Sequence, residues 1–336
     1  MTLAPERAGG PLRRVVIVGG AGFIGGHFVD RLLGTKATEA VRVFDNFTSG
    51  REANLAVHGE DPRFSVVKGE VADLAALREA LVGYDTVIHL ASNPDIAAAM
   101  ANPAIDFDQG TLLTHNVLEA MRFAGVGRIV YASGSGVYGD LGEVEASEDQ
   151  GPFVPVSTYG ASKLAGEALI SAYSYMFEMT GRVFRFGNVV GPRQSHGVGL
   201  DFVTKLLADP SKLEILGDGS QSKSYVHVSD VLDAVLLGAQ LPGAPVRTAN
   251  VATGDYLTVS EIADLAVEAV GLAPGSVEYR FSGGNRGWKG DVPVVRLNTD
   301  RIRGLGWANQ RSSREAMRAA LQSLVAEVRT ARGEST

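Results

Sequence analysis

Short apolar runs and helix-like stretches alternate through the first half of the chain. The apolar runs are rich in β-branched residues throughout, which is typical of strands covered on both faces. They predict strands at 15–18, 41–44, 64–67, 86–90, 128–132 and 182–186. Helical spacing of apolar residues lies between them at 24–33, 74–81, 112–124 and 159–179. This alternation predicts an α/β fold with a doubly wound parallel sheet.

The second half of the chain is less regular. Glycine and proline interrupt it after Gly187, and helical spacing returns only at 259–270 and 313–329. We therefore predict a first domain over 1–187 and a smaller C-terminal lobe over 188–336. An apolar segment at 246–251 indicates that the chain returns to the sheet within about 226–252, so the two parts are interleaved.

Composition narrows the possible partners. Of the 336 residues, 45% are hydrophobic and 21% charged, as in an average globular protein. The net charge is −7 and no dense block of Lys or Arg occurs, which argues against a nucleic-acid partner. With no cysteine and no metal-ligand spacing among the six histidines, we expect no metal site.

Hydropathy predicts neither a membrane span nor an export signal. No run of about 20 consecutive apolar residues occurs, which is the length that a helix needs to cross a bilayer. The segment Met1 to Gly10 lacks the apolar stretch of a signal peptide. We therefore expect a cytoplasmic protein without a membrane partner.

A glycine-rich turn between the first predicted strand and helix carries the clearest chemistry. Gly19, Gly22 and Gly25 have the spacing G-x-x-G-x-x-G. The first permits a tight turn, the second lets backbone amides approach a pyrophosphate, and the third lets helix and strand pack closely. The N-terminus of the helix then faces the anion. Residues 1–187 are therefore predicted to be a dinucleotide-binding Rossmann domain, with the substrate bound by 188–336.

Asp45 favours NAD over NADP. It ends the second predicted strand, 20 residues after Gly25. A carboxylate there accepts hydrogen bonds from the hydroxyls of the adenosine ribose and repels a 2′-phosphate. Arg51 lies nearby and is the residue that would instead accept such a phosphate.

Tyr159 and Lys163 form a candidate reactive pair. Residues four apart lie on one helix face, so the lysine ammonium is expected near the phenol. That charge and a positive nicotinamide ring both favour the phenolate. Tyr159 is therefore a candidate general base.

These motifs resemble the extended short-chain dehydrogenase/reductase family, in particular its nucleotide-sugar epimerases and dehydratases. The resemblance runs from about Arg14 to Trp307. Its motifs are Gly19-Gly-Ala-Gly-Phe-Ile-Gly25, Asp45-Asn-Phe-Thr-Ser-Gly50, His89-Leu-Ala91, Val137-Tyr-Gly139, Tyr159-x-x-x-Lys163, Arg185-x-x-Asn188-x-x-Gly-Pro192 and Tyr225-Val-His-Val-x-Asp230.

The resemblance implies transient oxidation of a sugar by NAD. Tyr159 would take a proton from a sugar hydroxyl, and Lys163 would bind the nicotinamide ribose and lower the pKa of Tyr159. The residues implied to bind NAD are Gly19, Gly22, Phe23, Ile24, Gly25, Asp45, Asn46, Ser49, Gly50, Glu70, Val71, Leu90, Ala91, Ser92, Tyr159, Lys163 and Phe186.

The resemblance also implies a nucleotide-diphosphate sugar as the partner molecule. Asn188 matches an asparagine that meets the diphosphate, and Lys223 replaces the usual phosphate-binding arginine. Asp291 matches a residue near the nucleotide ribose. An arginine normally lies where this chain has Trp288, and Arg286 is the nearest replacement.

Two glycines depart from the family pattern. Gly134 occupies the place of a Ser or Thr that relays the proton of the sugar, and either Ser133 or Ser135 would have to replace that hydroxyl. Gly110 lies where the family often has Asn. Two glycines in one pocket would leave extra room for a substrate that is bulkier or differently posed than UDP-glucose, and neutral drift is the other interpretation that we consider.

The same loop bears on the reaction. Gly134-Ser-Gly136 lacks the Asp and Glu of the dehydratases and the Glu of the decarboxylases. We therefore expect an epimerase. The alternative reactions are those of a dehydratase, a decarboxylase or a dehydrogenase with an altered proton relay. A further alternative is a non-enzymatic protein that binds NAD as a sensor or structural protein. The family commonly dimerises through two helices, whose counterparts here are 112–124 and 164–179; we expect a homodimer.

Overall fold

Seven parallel strands form the central sheet of the computed structural model, which describes residues 9–93 and 95–334. Its strands are β1 (Arg14–Val18), β2 (Ala40–Asp45), β3 (Phe64–Lys68), β4 (Thr86–His89), β5 (Arg128–Gly134), β6 (Thr180–Phe186) and β11 (Val246–Val251). The others are β7 (Asn188–Val190), β8 (Lys212–Ile215), β9 (Ser222–Lys223), β10 (Tyr225–His227), β12 (Leu257–Thr258) and β13 (Glu278–Phe281), which form three two-stranded pairs. The order β11-β6-β5-β4-β1-β2-β3 confirms the predicted doubly wound fold.

Some helices cover the two faces of this sheet, and others form the C-terminal part. They are α1 (Phe23–Leu33), α2 (Leu74–Leu81), α3 (Ala104–Asp106), α4 (Leu113–Ala124), α5 (Thr158–Met176), α6 (Val198–Ala208), α7 (Val228–Gln240), α8 (Val259–Val270), α9 (Asp300–Gly304) and α10 (Ser313–Ala331). One core joins the sheet to α1 and α7, and a second joins it to α2, α4 and α5. A separate core lies between α6, α8 and α10 in the C-terminal part.

The chain returns to the sheet where the sequence predicts it. Strand β11 pairs with β6 from Val246 against Gly181 to Val251 against Phe186. Helix α7, just before it, packs against α1, which the sequence analysis missed. The boundaries of the predicted domains, 1–187 and 188–336, stay a prediction. The first eight residues, which contribute to the expectation of no signal peptide, lie outside the described residues.

Helix boundaries differ from the sequence predictions at both helices proposed for dimerisation. The stretch predicted to start at residue 112 starts at Ala104 and passes through a π-helical segment, Phe107–Leu112. The stretch predicted to reach residue 179 ends at Met176, because Glu178 adopts a positive φ of 58°. Within the described part of the chain, no helix is both long and apolar enough to cross a membrane.

Gly110 provides no extra room, so the interpretation of a roomier pocket is wrong at this glycine. It is buried in the π-helical segment, where a Cβ would lie 2.6 Å from Oγ and 2.9 Å from Cβ of Ser162 on α5. Glycine is needed there because two helices approach closely. Gly134 is different, since a Cβ there would meet only the carbonyl oxygen of Phe186, at 4.0 Å.

These two glycines therefore give a matched test of packing. We expect Gly110→Ala to destabilise the protein by about 1–3 kcal/mol, because the added methyl group has to push the two helices apart. Gly134→Ala should change the free energy of unfolding by less than about 0.5 kcal/mol, because the backbone there is extended and the space is free. Urea denaturation of the two variants measures both values. Equal losses would contradict the difference in packing.

Candidate active site

The predicted cofactor residues lie at the carboxyl edge of the sheet. Because all seven strands are parallel, the loops that follow them meet at this edge. The strand order changes direction between β1 and β4, and the two loops there touch. The amide of Ala91 donates to the carbonyl oxygen of Val18 at 3.0 Å, and a Cβ on Gly19 would lie 2.7 Å from the nitrogen of Ala91.

The glycine turn has the geometry of an anion site. Gly19 has a φ of +83°, which favours glycine, and a Cβ on Gly25 would lie 2.5 Å from the carbonyl oxygen of Gly19. Gly22 precedes α1 without a side-chain cap, so the first amides of the helix stay free to bind a pyrophosphate. Among the described residues other than its chain neighbours, the first atom that a Cβ on Gly22 would meet is the carbonyl oxygen of Gly19, at 3.5 Å, which fits a position that a ligand approaches.

Asp45 braces this turn in addition to its predicted role. Its carboxylate accepts hydrogen bonds from the amide of Ala21 at 2.9 Å and from that of Phe47 at 2.8 Å. Gly50 packs closely against Ala21 and Asp45. A Cβ on Gly50 would lie only 2.7 Å from the Cβ of Ala21, so there is no space for a side chain. A carboxylate accepts about four hydrogen bonds, so Asp45 retains acceptor capacity for ribose hydroxyls.

The remaining predicted cofactor residues border the same edge. The amide of Asn46 donates to Glu70 at 3.0 Å, which links the loops after β2 and β3. Among these residues, Asn46, Ser49 and Glu70 are exposed, and the others are buried or half-buried. The buried and half-buried ones are Phe23, Ile24, Val71, Leu90, Ala91, Ser92 and Phe186. These residues fit an extended dinucleotide, with the pyrophosphate at α1 and the adenosine end at β2.

Tyr159 and Lys163 lie together on α5, as the spacing predicts. The Lys163 ammonium is 5.5 Å from the centre of the Tyr159 ring and 5.2 Å from that of Tyr131. It also donates to the carbonyl oxygen of Ala132 at 2.9 Å. Ser92 forms a side-chain hydrogen bond with Tyr159, which ties the phenol to the loop after β4.

The protein groups act on the pKa of Tyr159 in the direction opposite to that expected from Lys163. Burial is the largest cause and, together with the negative charge of Asp106, raises the pKa of Tyr159 to about 12, whereas the hydrogen bond from Ser92 acts to lower it. Burial also lowers the pKa of Lys163 to about 8, against the carboxylates of Asp106 and Glu167. In the protein alone burial dominates the pKa of Tyr159, and its lowering by Lys163 together with a bound nicotinamide stays a prediction.

Asp106 is a residue of this site that the sequence analysis missed. It is 1% exposed and accepts hydrogen bonds from Asn93 at 2.9 Å and from the hydroxyl of Thr158 at 2.7 Å. Thr158 directly precedes Tyr159, so this carboxylate is held beside the reactive pair. Its position depends on the turn from α3 into the π-helical segment, which no hydrophobic period indicates.

The two candidate serines have different surroundings. Ser133 is buried on β5 and donates to Glu167 at 2.5 Å, in a network where Arg185 forms two bonds to the same carboxylate, at 3.0 and 2.6 Å. Ser135 begins a 3₁₀ turn (Ser135–Tyr138) and borders a small cavity with Gly139. Its side chain is half-buried. Ser133 is thus committed to a buried ion pair, and Ser135 is not.

The predicted substrate residues form a second group, in the C-terminal part. Lys223 donates a hydrogen bond to the carboxylate of Asp291 at 2.6 Å. The same carboxylate accepts a hydrogen bond from the backbone amide of Gly287 at 3.1 Å. Arg286 bonds the carbonyl oxygen of Asp291 and the carboxylate of Asp140, the latter at 2.5 Å. The structure therefore brings three of the four substrate candidates into direct contact.

Asn188 joins this group through Tyr225. The two residues are partners in the parallel pair of β7 and β10, and their side chains are hydrogen-bonded. The charge of Asp291 acts on Tyr225 as well, and burial raises the pKa of that phenol. Tyr225 and Asp140 are therefore two members of the group that were not among the sequence candidates.

Comparison with known proteins gives a consistent result. Residues 15–252 match the model of the NAD dependent epimerase/dehydratase family. The chain is 34% identical over 305 residues to a UDP-glucose 4-epimerase of Mycolicibacterium smegmatis, an alignment that covers 88% of this chain and 94% of that protein.

Solved structures agree with this match. A UDP-galactose 4-epimerase is similar with a TM-score of 0.82 and 35% identity, covering 94% of this chain and 99% of the other. DesIV, a dTDP-glucose 4,6-dehydratase from Streptomyces venezuelae with NAD bound, has a TM-score of 0.85 and 30% identity, covering 94% and 98%. The predictions of NAD as cofactor and of the fold are confirmed. The chain belongs to the NAD dependent epimerase/dehydratase family, within the extended short-chain dehydrogenases/reductases, and is an enzyme of that family.

Proposed function

We propose that the protein is an NAD-dependent nucleotide-sugar epimerase that acts at C4 through a transient keto-sugar. One observation carries the choice among the reactions of the family. Residues 134–136 offer no carboxylate, and the carboxylates that act electrostatically on Tyr159 and Lys163 are Asp106 and Glu167, both held by other side chains. Elimination of water needs an acid and a base that are free to move protons.

The proposed reaction moves one proton between the sugar hydroxyl and Tyr159. Tyr159 Oη takes the proton of the sugar hydroxyl, and a hydride leaves the same carbon, so that a carbonyl forms there. NAD supplies reversible hydride acceptance. The carbonyl is then reduced from its other face while Tyr159 returns the proton, so the product has the mass of the substrate. Ser135 is our candidate for the hydroxyl missing at Gly134, because Ser133 donates to Glu167.

The test is product analysis. We expect purified protein to convert at least one of UDP-glucose, UDP-glucuronate, UDP-N-acetylglucosamine and TDP-glucose to its C4 epimer, as detected by NMR, with no change in mass. Tyr159→Phe should abolish this conversion, because the base is lost. A loss of water or carbon dioxide, or NADH accumulating in proportion to product, would contradict epimerisation in favour of the other reactions.

Asp106 should set the pH dependence of this reaction. Its charge raises the pKa of Tyr159, so Asp106→Asn should lower that pKa and move the acidic limb of kcat/KM to lower pH. The asparagine can keep the bonds to Asn93 and Thr158, because an amide both accepts and donates. The pH profiles of the variant and of the wild type measure the shift. If the variant had a lower kcat/KM but an acidic limb at the same pH as the wild type, Asp106 would have only a structural role.

We further propose that the protein is a homodimer through α4 and α5. An uncharged stripe of small side chains, exposed or half-buried, follows α5 at helical spacing: Ala161, Ala165, Ala168 and Ala172, continued by exposed Tyr175 and Met176. On the neighbouring α4, Phe123 is 47% exposed. Small residues allow two helices to approach closely, and an apolar face of this kind is typical of an interface.

A charge in this stripe should separate the subunits. We expect Ala168→Glu to shift the mass in light scattering from dimer to monomer, because a carboxylate would be buried without a partner. Ala326→Glu, an exposed position on α10, is the control and should stay dimeric. A wild-type monomer at micromolar concentration would overturn the proposal.

A further inference from the structure

Arg193 links the C-terminal part to the helix that follows the glycine turn. It lies in the loop between β7 and α6. Its guanidinium donates to Nδ1 of His27 at 2.7 Å and forms an ion pair with Asp30, and both of these residues belong to α1. The other ring nitrogen of His27 donates to the carbonyl oxygen of Pro192 at 3.0 Å. Because a neutral imidazole has one donor and one acceptor, His27 holds two consecutive residues of this loop.

The same guanidinium reaches the loop that supports the glycine turn. It donates to the carbonyl oxygen of Asn54, in the loop after β2, at 3.3 Å. A Cβ on Gly26 would lie 3.2 Å from Cβ of Asn54 and 3.3 Å from a guanidinium nitrogen of Arg193. Glycine at this position of α1 therefore lets the loops after β2 and β7 meet on the helix.

Asn54 holds the peptide groups that border the cofactor site. It is 5% exposed, and its side-chain amide donates to the carbonyl oxygen of Ala21 at 2.8 Å and to that of Gly22 at 3.5 Å. A peptide group is planar, so a carbonyl that is held also fixes the amide on the other side of the same bond. The amides concerned are those of Gly22 and Phe23, which begin α1 and face the pyrophosphate position.

The backbone of Arg193 is held as firmly as its side chain. Its φ is 63°, in the left-handed region that favours glycine. A residue with a side chain persists in this conformation only where its surroundings fix it. The amide of Arg193 donates to Glu327 on α10 at 2.8 Å, so the residue is anchored to the C-terminal part while its guanidinium holds α1.

We propose that Arg193 retains NAD on the enzyme by fixing the glycine turn from the C-terminal part. It is a positioning residue that acts through Asn54 and α1. The proposal applies to every reaction of the family, because NAD is the cofactor of all of them. It predicts that NAD leaves slowly while the guanidinium is in place and quickly once it is removed.

The experiment measures the release of labelled NAD from holoenzyme into an excess of unlabelled NAD. We expect Arg193→Ala to raise the release rate about tenfold, which corresponds to the loss of one or two hydrogen bonds to a charged group. Arg31→Ala is the matched control, because Arg31 also lies on α1 and forms an ion pair, but with Asp233 on α7. It should change the release rate by less than about twofold.

Two further variants separate cofactor release from folding. Arg193→Gly also removes the guanidinium but suits the left-handed backbone, so it should fold at least as well as Arg193→Ala and release NAD as quickly. Arg193→Lys keeps a charge beside Asp30 but lacks the planar fork that bonds His27 and Asn54 together. It should therefore release NAD faster than the wild type. Thermal unfolding of each variant reports its stability separately.

A double-mutant cycle tests the route through Asn54. Asn54→Ala alone should speed the release of NAD, because the carbonyls of the glycine turn lose their donor. Combined with Arg193→Ala, it should add less than the product of the two single effects, because both changes break the same connection. Effects that multiply fully would overturn this route.

The other outcomes are equally decisive. Wild-type release rates in Arg193→Ala and Arg193→Gly would overturn the proposal, and any loss of thermal stability would then show Arg193 to be only a brace between two parts of the fold. An equal increase in Arg31→Ala would overturn it as well, because loosening α1 would suffice. A failure to form any epimer would contradict the proposed function and leave this proposal intact.

Discussion

The buried ion pair of Arg185 and Glu167 fixes the helix on which the reactive site depends. Both side chains are nearly inaccessible, and two hydrogen bonds join them. Tyr159, Lys163 and Glu167 follow each other at intervals of four on α5, so they lie on one face. A pair that anchors Glu167 to β6 therefore also sets the rotation and height of Tyr159 and Lys163 over the sheet.

A buried ion pair stabilises the fold only if its remaining donors and acceptors also form hydrogen bonds, because both charged groups have lost their contacts with water. Ser133 donates to Glu167, and Arg185 also donates to the hydroxyl of Tyr138 at 2.8 Å, which in turn donates to Asn250 at 2.7 Å. Asn250 belongs to β11, so the network crosses three neighbouring strands. The network therefore joins β11, which comes late in the chain, to the strands beside the reactive helix. Loss of one charge would leave the other buried, which costs about 3–5 kcal/mol in comparable cases.

The sequence predicts well those features that depend on near neighbours. Gly19 to Gly25, Asp45 and the pair of Tyr159 with Lys163 are read from spacing within one strand, turn or helix, and all lie where expected. Ser133 shows the limit, because its hydroxyl is directed by a carboxylate 34 residues away. Gly110 and Asp106 show the same limit: the first depends on the approach of Ser162, and the second on Asn93 and Thr158. A single sequence contains no local signal for such contacts between elements.

The candidate substrate residues in the C-terminal part include two ion pairs. Lys223 and Arg286 are both neutralised by carboxylates, and each pair is only partly buried. Partly exposed ion pairs contribute about 1 kcal/mol or less, so a diphosphate can take these cations from Asp291 and Asp140 at small cost. A free sugar has no charge to do so. For the nucleotide sugar that we propose as substrate, the nucleotide part would therefore supply most of the binding energy, and Tyr159 and Lys163 would act on a sugar that is already held in place.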